Sequence, residues 1–162
     1  MNLIVAVDEN WGIGKDNELL CRISADMKNF RAVTMGHVLV LGRKTLESFP
    51  GKKPLPKRTH IVLTANKAYE AEGVILCHSL EELPVVLADY EDDDIFVIGG
   101  GSIYEQLLPQ CKKAYITKIY DKFPADTYFP NLDEKPEWTL TEKGEVQEEN
   151  AVNFSFDIYE QK

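Results

Sequence analysis

The sequence has few cysteines, no long apolar run and no overall excess of positive charge. Its three cysteines, Cys21, Cys77 and Cys111, are odd in number and widely spaced, which argues against a disulfide framework or a zinc knuckle. The three histidines also lack metal-ligand spacing, so no metal site is predicted. No apolar run approaches the length of a membrane span, and the N-terminus lacks a signal peptide's basic start. We therefore expect a cytoplasmic protein without a membrane partner.

The net charge of -9 disfavours nucleic acid as a partner, but the charge is unevenly distributed. Between Arg43 and Lys67 the chain has an excess of basic residues and a single acid, Glu47. This basic window could be an ordinary solvated face. It could equally be a local site for small anions, such as phosphate or carboxylate, in an otherwise acidic protein.

At 162 residues, with 44% hydrophobic and 28% charged side chains, the chain fits one folded domain, residues 1–162. Short Val- and Ile-rich runs alternate with helical spacing through the first two thirds, which predicts a mostly parallel sheet. The last third predicts three more strands pairing antiparallel at one edge. The expected fold is an α/β three-layer sandwich of about eight strands with helices on both faces. The predicted strands are 2–7, 37–41, 59–63, 95–98, 114–120, 138–143 and 153–159, and the predicted helices are 24–33, 80–88 and 102–108.

Two glycine-containing turns follow predicted strands. Gly99-Gly100-Gly101-Ser102 leads into a helix with Ile103 and Tyr104, and Gly42-Arg43-Lys44-Thr45 opens a shorter helix. Glycine lets the backbone approach a ligand closely, and a helix N-terminus favours an anion. Each turn alone could be only a tight connection. Together they suggest two phosphate-bearing parts of one ligand, as a dinucleotide would supply.

Asp26 stands in the first turn of the predicted helix, for which Ser24 is the predicted N-cap. It shares one stripe of the helix with Phe30 and Val33. A carboxylate on an apolar stripe should be partly desolvated, with a raised pKa. Alternatively, it faces water and is stabilised by the helix dipole. The helical spacing leaves both interpretations open.

The segment from Trp11 to Asn17 follows the first strand and contains two glycines and two turn-forming residues. This composition predicts a mobile loop at the carboxyl end of a strand, where ligands of α/β proteins bind. Such a loop could act as a lid that excludes water, or it could be a simple exposed connection.

Taken in order, these motifs resemble those of the dihydrofolate reductase family along nearly the entire chain. The resemblance implies NADPH-dependent reduction of 7,8-dihydrofolate to 5,6,7,8-tetrahydrofolate, which supplies one-carbon metabolism. It also implies antifolates as inhibitors and a monomer. The motifs that carry it are Leu3-Ile4-Val5-Ala6, Gly12-Ile13-Gly14, Ser24-Ala25-Asp26-Met27 with Phe30, Gly42-Arg43-Lys44-Thr45, Pro54-Leu55-Pro56 with Arg58, Ile98-Gly99-Gly100-Gly101 with Tyr104, Tyr115-Ile116-Thr117, and Ala125-Asp126-Thr127-Tyr128-Phe129-Pro130.

For the substrate, the resemblance implies that Asp26 is the catalytic acid that binds the pterin's 2-amino group and ring nitrogen. Thr117 would support that end of the pterin from the adjacent strand, and Arg58 would hold the α-carboxylate of the glutamate tail. The remaining implied substrate contacts form an apolar slot: Ile4, Met27, Phe30, Phe49, Leu55 and Ile98.

For NADPH, the resemblance implies an adenosine-binding part at roughly residues 37–92. Arg43 would face the 2'-phosphate, helped by Thr64 and His78. The other implied cofactor contacts are Ala6, Ile13, Gly14, Asn17, Leu19, Gly42, Lys44, Thr45, Leu63, Ile98, Gly99, Gly100, Gly101, Ser102, Ile103, Tyr104 and Thr127.

Leu20-Cys21 stands where the family usually has Pro-Trp, a departure within the predicted lid. Two other functions remain as alternatives. One is a reductase on the same scaffold that acts on another substrate, such as the ribose side chain of a riboflavin precursor. Asp26 and Arg58 argue against it, because both match folate groups. The other is a non-catalytic nucleotide- or folate-binding protein with an inactive lid, which only the Leu20-Cys21 change supports.

Overall fold

The computed structural model describes residues 1–162 and contains a nine-stranded sheet covered by helices on both faces. The strands are β1 (Asn2–Val7), β2 (Gly12–Lys15), β3 (Glu18–Leu19), β4 (Val38–Gly42), β5 (Thr59–Leu63), β6 (Ile75–Cys77), β7 (Ile95–Gly99), β8 (Lys113–Ile119), β9 (Thr127–Tyr128), β10 (Trp138–Glu142), β11 (Gln147–Glu149) and β12 (Val152–Gln161). The α-helices are α1 (Ser24–Thr34), α2 (Arg43–Glu47), α3 (Leu83–Leu87) and α4 (Gly101–Leu107).

The main sheet has the strand order β10-β12-β8-β1-β7-β4-β5-β6, with β11 paired to β12. The six strands from β8 to β6 are mutually parallel, whereas β10, β11 and β12 pair antiparallel at one edge. The predicted fold class is therefore confirmed, including the antiparallel C-terminal edge.

The central strands are apolar throughout because each face of the sheet is covered. On one face, Leu83 of α3 and Leu107 of α4 join a large buried cluster with the odd-numbered residues of β1. On the other face, Leu46 of α2 and Phe30 of α1 pack against Ile4 and its neighbours. Helices α1 and α2 thus lie on the same face, next to the carboxyl ends of the parallel strands.

The predicted loop between Trp11 and Asn17 was wrong, because this segment belongs to a second, three-stranded sheet. Strand β2 pairs with β3 and with the distant β9. Asp16 and Asn17 connect β2 to β3 with positive φ angles of 52° and 62°, the geometry of a tight hairpin turn. Pairing with Thr127–Tyr128, far along the chain, is not visible in the local composition.

Two predicted helix boundaries are also corrected by the structure. Ser24 is not the N-cap of α1: Ile23 holds that position and Ser24 is the first helical residue. The predicted helix 80–88 shrinks to Leu83–Leu87 because Pro84 lacks an N–H and fits only a helix's first turn. None of the helices is both long and apolar enough to traverse a bilayer.

Candidate active site

Asp26 and Thr117 meet at the carboxyl edge of the sheet. Thr117 lies on β8 beside Ala6 of β1, and its Oγ1 donates to Asp26 Oδ1 at 2.6 Å. Burial raises the pKa of Asp26, and the hydrogen bond from Thr117 offsets part of that rise. Of the two interpretations left open, the structure supports the desolvated carboxylate. Its second oxygen makes no hydrogen bond within the protein.

The residues predicted to form the apolar slot lie mostly on the face of the sheet covered by α1 and α2. Ile4 and Ile98 belong to the buried cluster on this face. Phe30, Phe49 and Leu55 pack against that cluster. Met27 lies apart, with 52% of its surface exposed. The structure thus brings together five of the six predicted slot residues, and the contact of Met27 with the substrate remains a prediction.

Arg58 lies at the outer end of the slot with no carboxylate partner. Its Nε donates to Pro56 O at 3.0 Å and its Nη1 to Thr34 Oγ1 at 3.3 Å. Burial lowers the pKa of Arg58, and the nearby charge of Arg31 adds to that effect. Two guanidinium groups without an intervening acid favour a bound anion. Arg31 was not predicted, and nothing in its local sequence distinguishes it from a surface arginine.

Arg31 also lines a basic groove on the protein surface. It has a volume of about 430 Å³ and is lined by Lys28, Arg31, Ala32, Met35 and Lys57. No lining residue is acidic, although the protein as a whole carries a charge of -9. The positive potential around Arg58 therefore extends along the outer side of α1.

The two glycine-containing turns are neighbours, as a single dinucleotide would require. They follow the adjacent parallel strands β4 and β7. A β-carbon added to Gly100 would lie 3.5 Å from Thr45 Oγ1, and one added to Gly42 would lie 3.2 Å from Ile103 Cγ1. Gly99 has a φ angle of 119° and faces the ring of Tyr104, so a side chain there would be strained and crowded. Backbone, rather than side chains, therefore forms the surface of this cradle.

Three consecutive strands end in register on the other side of α2. Gly42 pairs with Leu63, and Leu63 pairs with Cys77, so Arg43, Thr64 and His78 follow neighbouring strand ends. His78 Nδ1 lies 2.9 Å from Thr64 O, which fixes the direction of the imidazole. Arg43 Nη1 donates to Glu47 Oε1 at 2.7 Å within α2. The structure thus brings together all three residues predicted to face the 2'-phosphate.

The small sheet closes over both glycine turns. Asn17 Nδ2 donates to Lys44 O at 3.3 Å. Asp126 fastens β2 and β9, since its N–H donates to Gly14 O at 3.0 Å and its Oδ2 accepts from Asp16 N at 2.9 Å. Leu19 pairs with Gly14 in this sheet, and 54% of its surface is exposed. The sequence predicts no role for Asp126, because Gly14 and Asp16 lie more than a hundred residues before it in the chain.

Gly101 marks the closest approach between the small sheet and the glycine turn. A β-carbon at Gly101 would lie 2.5 Å from Thr127 Cγ2 and 3.8 Å from Ile13 Cδ1. Gly101→Ala is therefore expected to lower the free energy of unfolding by about 1–3 kcal/mol through overpacking. Denaturant unfolding measures this loss. Thr127→Ser removes the clashing methyl while keeping the hydroxyl that donates to Asp126, so the double variant should recover stability. If stability does not recover, crowding against the Thr127 methyl is not the cause of the loss.

Tyr104 is buried beneath the glycine turn. Its hydroxyl donates to Ile4 O at 2.6 Å, and burial raises its pKa. Its ring lies against Gly99. Tyr104 therefore joins β1 to the glycine turn, and its predicted contact with the cofactor remains a prediction.

The glycine-backbone cradle lies at adjacent strand ends, with Arg43, Thr64 and His78 beside it. The slot contains the half-buried carboxylate of Asp26. Together these parts can hold two ligands. This is the arrangement of an α/β dinucleotide-dependent oxidoreductase. The family model described as dihydrofolate reductase matches residues 1–161 of the chain. The chain belongs to the dihydrofolate reductase family.

Individual relatives are similar to this chain over almost the full length of both proteins. A dihydrofolate reductase of Haemophilus influenzae is 40% identical, covering 99% of this chain and 98% of the relative. One of Staphylococcus haemolyticus is 38% identical, covering 99% and 95%. The structure is similar to that of dihydrofolate reductase from Enterococcus faecalis complexed with NADP(H) and RAB-propyl, with a TM-score of 0.86, 38% identity and coverage of 99% and 95%.

Proposed function

We propose that this protein is an NADPH-dependent dihydrofolate reductase, which reduces 7,8-dihydrofolate to 5,6,7,8-tetrahydrofolate. The observation that carries this proposal is the hydrogen bond between half-buried Asp26 and buried Thr117, beside the apolar slot. A carboxylate with one oxygen free can accept hydrogen bonds from two coplanar donors, as the pterin's 2-amino group and ring nitrogen provide.

The substrate's three parts correspond to three parts of the site. The pterin binds between Asp26 and the apolar slot, in which Ile4, Phe30 and Ile98 exclude water. The aminobenzoyl ring lies between Phe49 and Leu55. Arg58, which has no acidic partner, binds the α-carboxylate of the glutamate tail.

The residues present fit NADPH. The Gly99–Gly101 backbone and Thr45 hold the diphosphate, because glycine leaves the backbone N–H groups at the start of α4 open to an anion. A side chain at Gly101 would clash with Thr127. Arg43, Thr64 and His78 bind the 2'-phosphate, and Ile13, Asn17 and Ala6 border the nicotinamide. When bound, NADPH supplies the hydride that reduces C6 of the pterin. Leu63, Gly42 and Ile103 line the path between the two ends of the cofactor.

The chain's own contribution to the reaction is orientation and the exclusion of water rather than covalent catalysis. Asp26 orients and polarises the pterin ring, and Thr117 fixes the direction of the carboxylate. The N5 atom takes its proton from water. The small sheet over the glycine turns limits solvent at the reacting carbon, since Asp126 holds β2 and β9 together.

The same proposal covers the organisation of the chain. Residues 1–162 act as one monomeric catalytic domain in the cytoplasm, where the free thiols of Cys21, Cys77 and Cys111 stay reduced. Residues 37–92 form its adenosine-binding part. Antifolates that present an amino group and a ring nitrogen to Asp26 compete with the substrate.

The first test follows the loss of NADPH absorbance when dihydrofolate is added to the purified protein, with a no-substrate control. Rapid, substrate-dependent loss supports the proposal. If the folded protein binds NADPH without any loss of absorbance, the different-substrate and non-catalytic alternatives replace it.

Arg43→Ala is expected to narrow the preference for NADPH over NADH by about tenfold, because only NADPH carries the 2'-phosphate. The ratio of kcat/KM for the two cofactors measures this preference. Glu47, which loses its partner in this variant, would also repel the phosphate, so Arg43→Ala combined with Glu47→Gln separates lost attraction from added repulsion. Lys52→Ala, which removes a charge elsewhere in the basic window, is the control. An unchanged ratio in Arg43→Ala would remove Arg43 from this role.

A further inference from the structure

Helix α1 begins without a cap from its own sequence. Its N-cap residue, Ile23, is apolar and only 3% exposed, and no side-chain acceptor of its own closes the helix end. The first N–H groups of a helix have no partner within the helix, so they need an acceptor from elsewhere. Asp26 stands in this same first turn, and its position depends on how well the turn is held.

Glu149 provides that acceptor from the opposite end of the chain. Its Oε2 accepts from Ser24 N at 2.7 Å, and its Oε1 accepts from Ala25 N at 3.1 Å and from Ser24 Oγ at 2.8 Å. The pKa of Glu149 is lowered, chiefly by the hydrogen bond from Ser24 N–H. The carboxylate is therefore ionised at neutral pH, and its negative charge complements the positive end of the helix dipole.

The β11–β12 hairpin fixes the direction of Glu149. Glu149 pairs with Val152, and the two residues between them, Asn150 and Ala151, have positive φ angles of 53° and 64°. This is the geometry of a two-residue hairpin turn. Strand β12 in turn pairs along β8, the strand that carries Thr117. Both partners of the Asp26–Thr117 hydrogen bond are thus attached to the same antiparallel edge of the sheet.

We propose that Glu149 is a positioning residue for Asp26: it holds the first turn of α1 so that the Asp26 carboxylate faces the pterin. This inference rests on the proposed function. Glu149 acts through its hydrogen bonds with Ser24 and Ala25. The glycine turns that hold the cofactor follow other strands, so the effect of Glu149 is confined to the substrate.

The test compares Glu149→Ala with the wild-type protein in steady-state and single-turnover kinetics. Loss of a helix cap should raise the KM for dihydrofolate by about fivefold and slow hydride transfer by a similar factor. The KM for NADPH should not change. Glu149→Gln keeps one accepting oxygen and should rescue part of the effect. Glu148→Ala removes the same charge from the neighbouring residue, which makes no side-chain hydrogen bond or ion pair, and should behave as wild type.

A purely structural role for Glu149 predicts a different result. In that case Glu149→Ala lowers the melting temperature but leaves both KM values and the hydride rate unchanged well below the transition, which would overturn the proposal. Amide hydrogen exchange over residues 24–28 provides the second measurement. Faster exchange at these amides in Glu149→Ala than in Glu148→Ala supports the proposed route, and equal exchange contradicts it.

The failure of this proposal can be distinguished from failure of the proposed function. If the wild-type protein does not oxidise NADPH with dihydrofolate, the proposed function fails. Folate binding, followed by quenching of protein fluorescence, then tests Glu149 without turnover. Weaker folate binding by Glu149→Ala than by Glu148→Ala supports the positioning role, whereas equal binding, or no binding by any variant, overturns it.

Discussion

Asp26→Asn is expected to reduce dihydrofolate turnover by roughly two to three orders of magnitude while NADPH affinity stays unchanged. The amide has the shape of the carboxylate, but it offers one accepting oxygen instead of two and carries no charge. It therefore loses the charge-assisted hydrogen bonds to the pterin. Thr117 Oγ1 can still donate to the remaining oxygen, so the fold around position 26 should be preserved.

The same substitution should stabilise the ligand-free protein above neutral pH. Burial raises the pKa of Asp26, so the folded state binds this proton more tightly than the unfolded chain does. The stability that the group contributes is complete below the unfolded pKa of about 3.9 and is lost as the pH rises through the raised folded pKa. Asparagine does not titrate and avoids this loss. The melting temperature of Asp26→Asn minus that of wild type should therefore increase from acidic to alkaline pH.

Two measurements test these expectations together. Steady-state turnover and NADPH binding test the functional half, and melting temperatures across a pH series test the stability half. Asp89→Asn, at an exposed position with no side-chain hydrogen bond, should change neither. Normal turnover by Asp26→Asn would remove Asp26 from the catalytic role. A melting-temperature difference that does not vary with pH would contradict its desolvation in the folded state.

Arg58→Ala is expected to raise the KM for dihydrofolate by about 100-fold, because a paired, charge-assisted contact to the α-carboxylate is lost. Arg58→Lys should recover only part of the affinity, since an ammonium group cannot reproduce the planar, paired contact. Arg31→Ala should have a smaller effect, because Arg31 is more exposed and contributes mainly to the local potential.

A substrate without the glutamate tail makes this prediction specific. A dihydropterin that lacks the tail should be reduced equally well by wild type and by Arg58→Ala, because the lost contact involves only the tail. Arg22→Ala, at an exposed position, is the matched control for the loss of an arginine. If Arg58→Ala impairs both substrates to the same extent, the effect comes from a disturbed fold rather than from a lost carboxylate contact.

The parts of the fold that can be predicted from the sequence are those with local, repetitive signals. The parallel strands are recognisable because burial on both faces makes them continuously apolar, as in Val38–Gly42 and Ile95–Gly99. The small sheet is not recognisable, because β3 and β9 have only two residues each and their pairing is long-range. The N-terminus of α1 is misplaced for a similar reason: Ser24 resembles a cap, but the actual acceptor is Glu149.

The candidate site also has parts that the sequence predicts and parts that depend on long-range contacts. Residue types predict the glycine turns, because glycine performs a task that few side chains can perform. They leave Asp26 open between two interpretations, and the role of Arg58 follows only from the resemblance to the family. The spacing within the sequence could not predict the contact between Asp26 and Thr117, since it depends on the position of α1 over β8. Arg31 and Asp126 have no role that their residue types indicate, because their functional partners become neighbours only after folding.

The glycine cradle has a consequence for how this molecule can change over generations. Backbone forms the contact surface for the diphosphate, and added carbon atoms at Gly42 or Gly101 would meet Ile103 or Thr127. Few substitutions can therefore reshape that surface without destabilising the fold. The pterin slot is lined by side chains such as Phe49 and Leu55, each of which one codon change can alter. Resistance to competing drugs should thus arise in the slot, and compounds that also contact the cradle should leave fewer routes of escape.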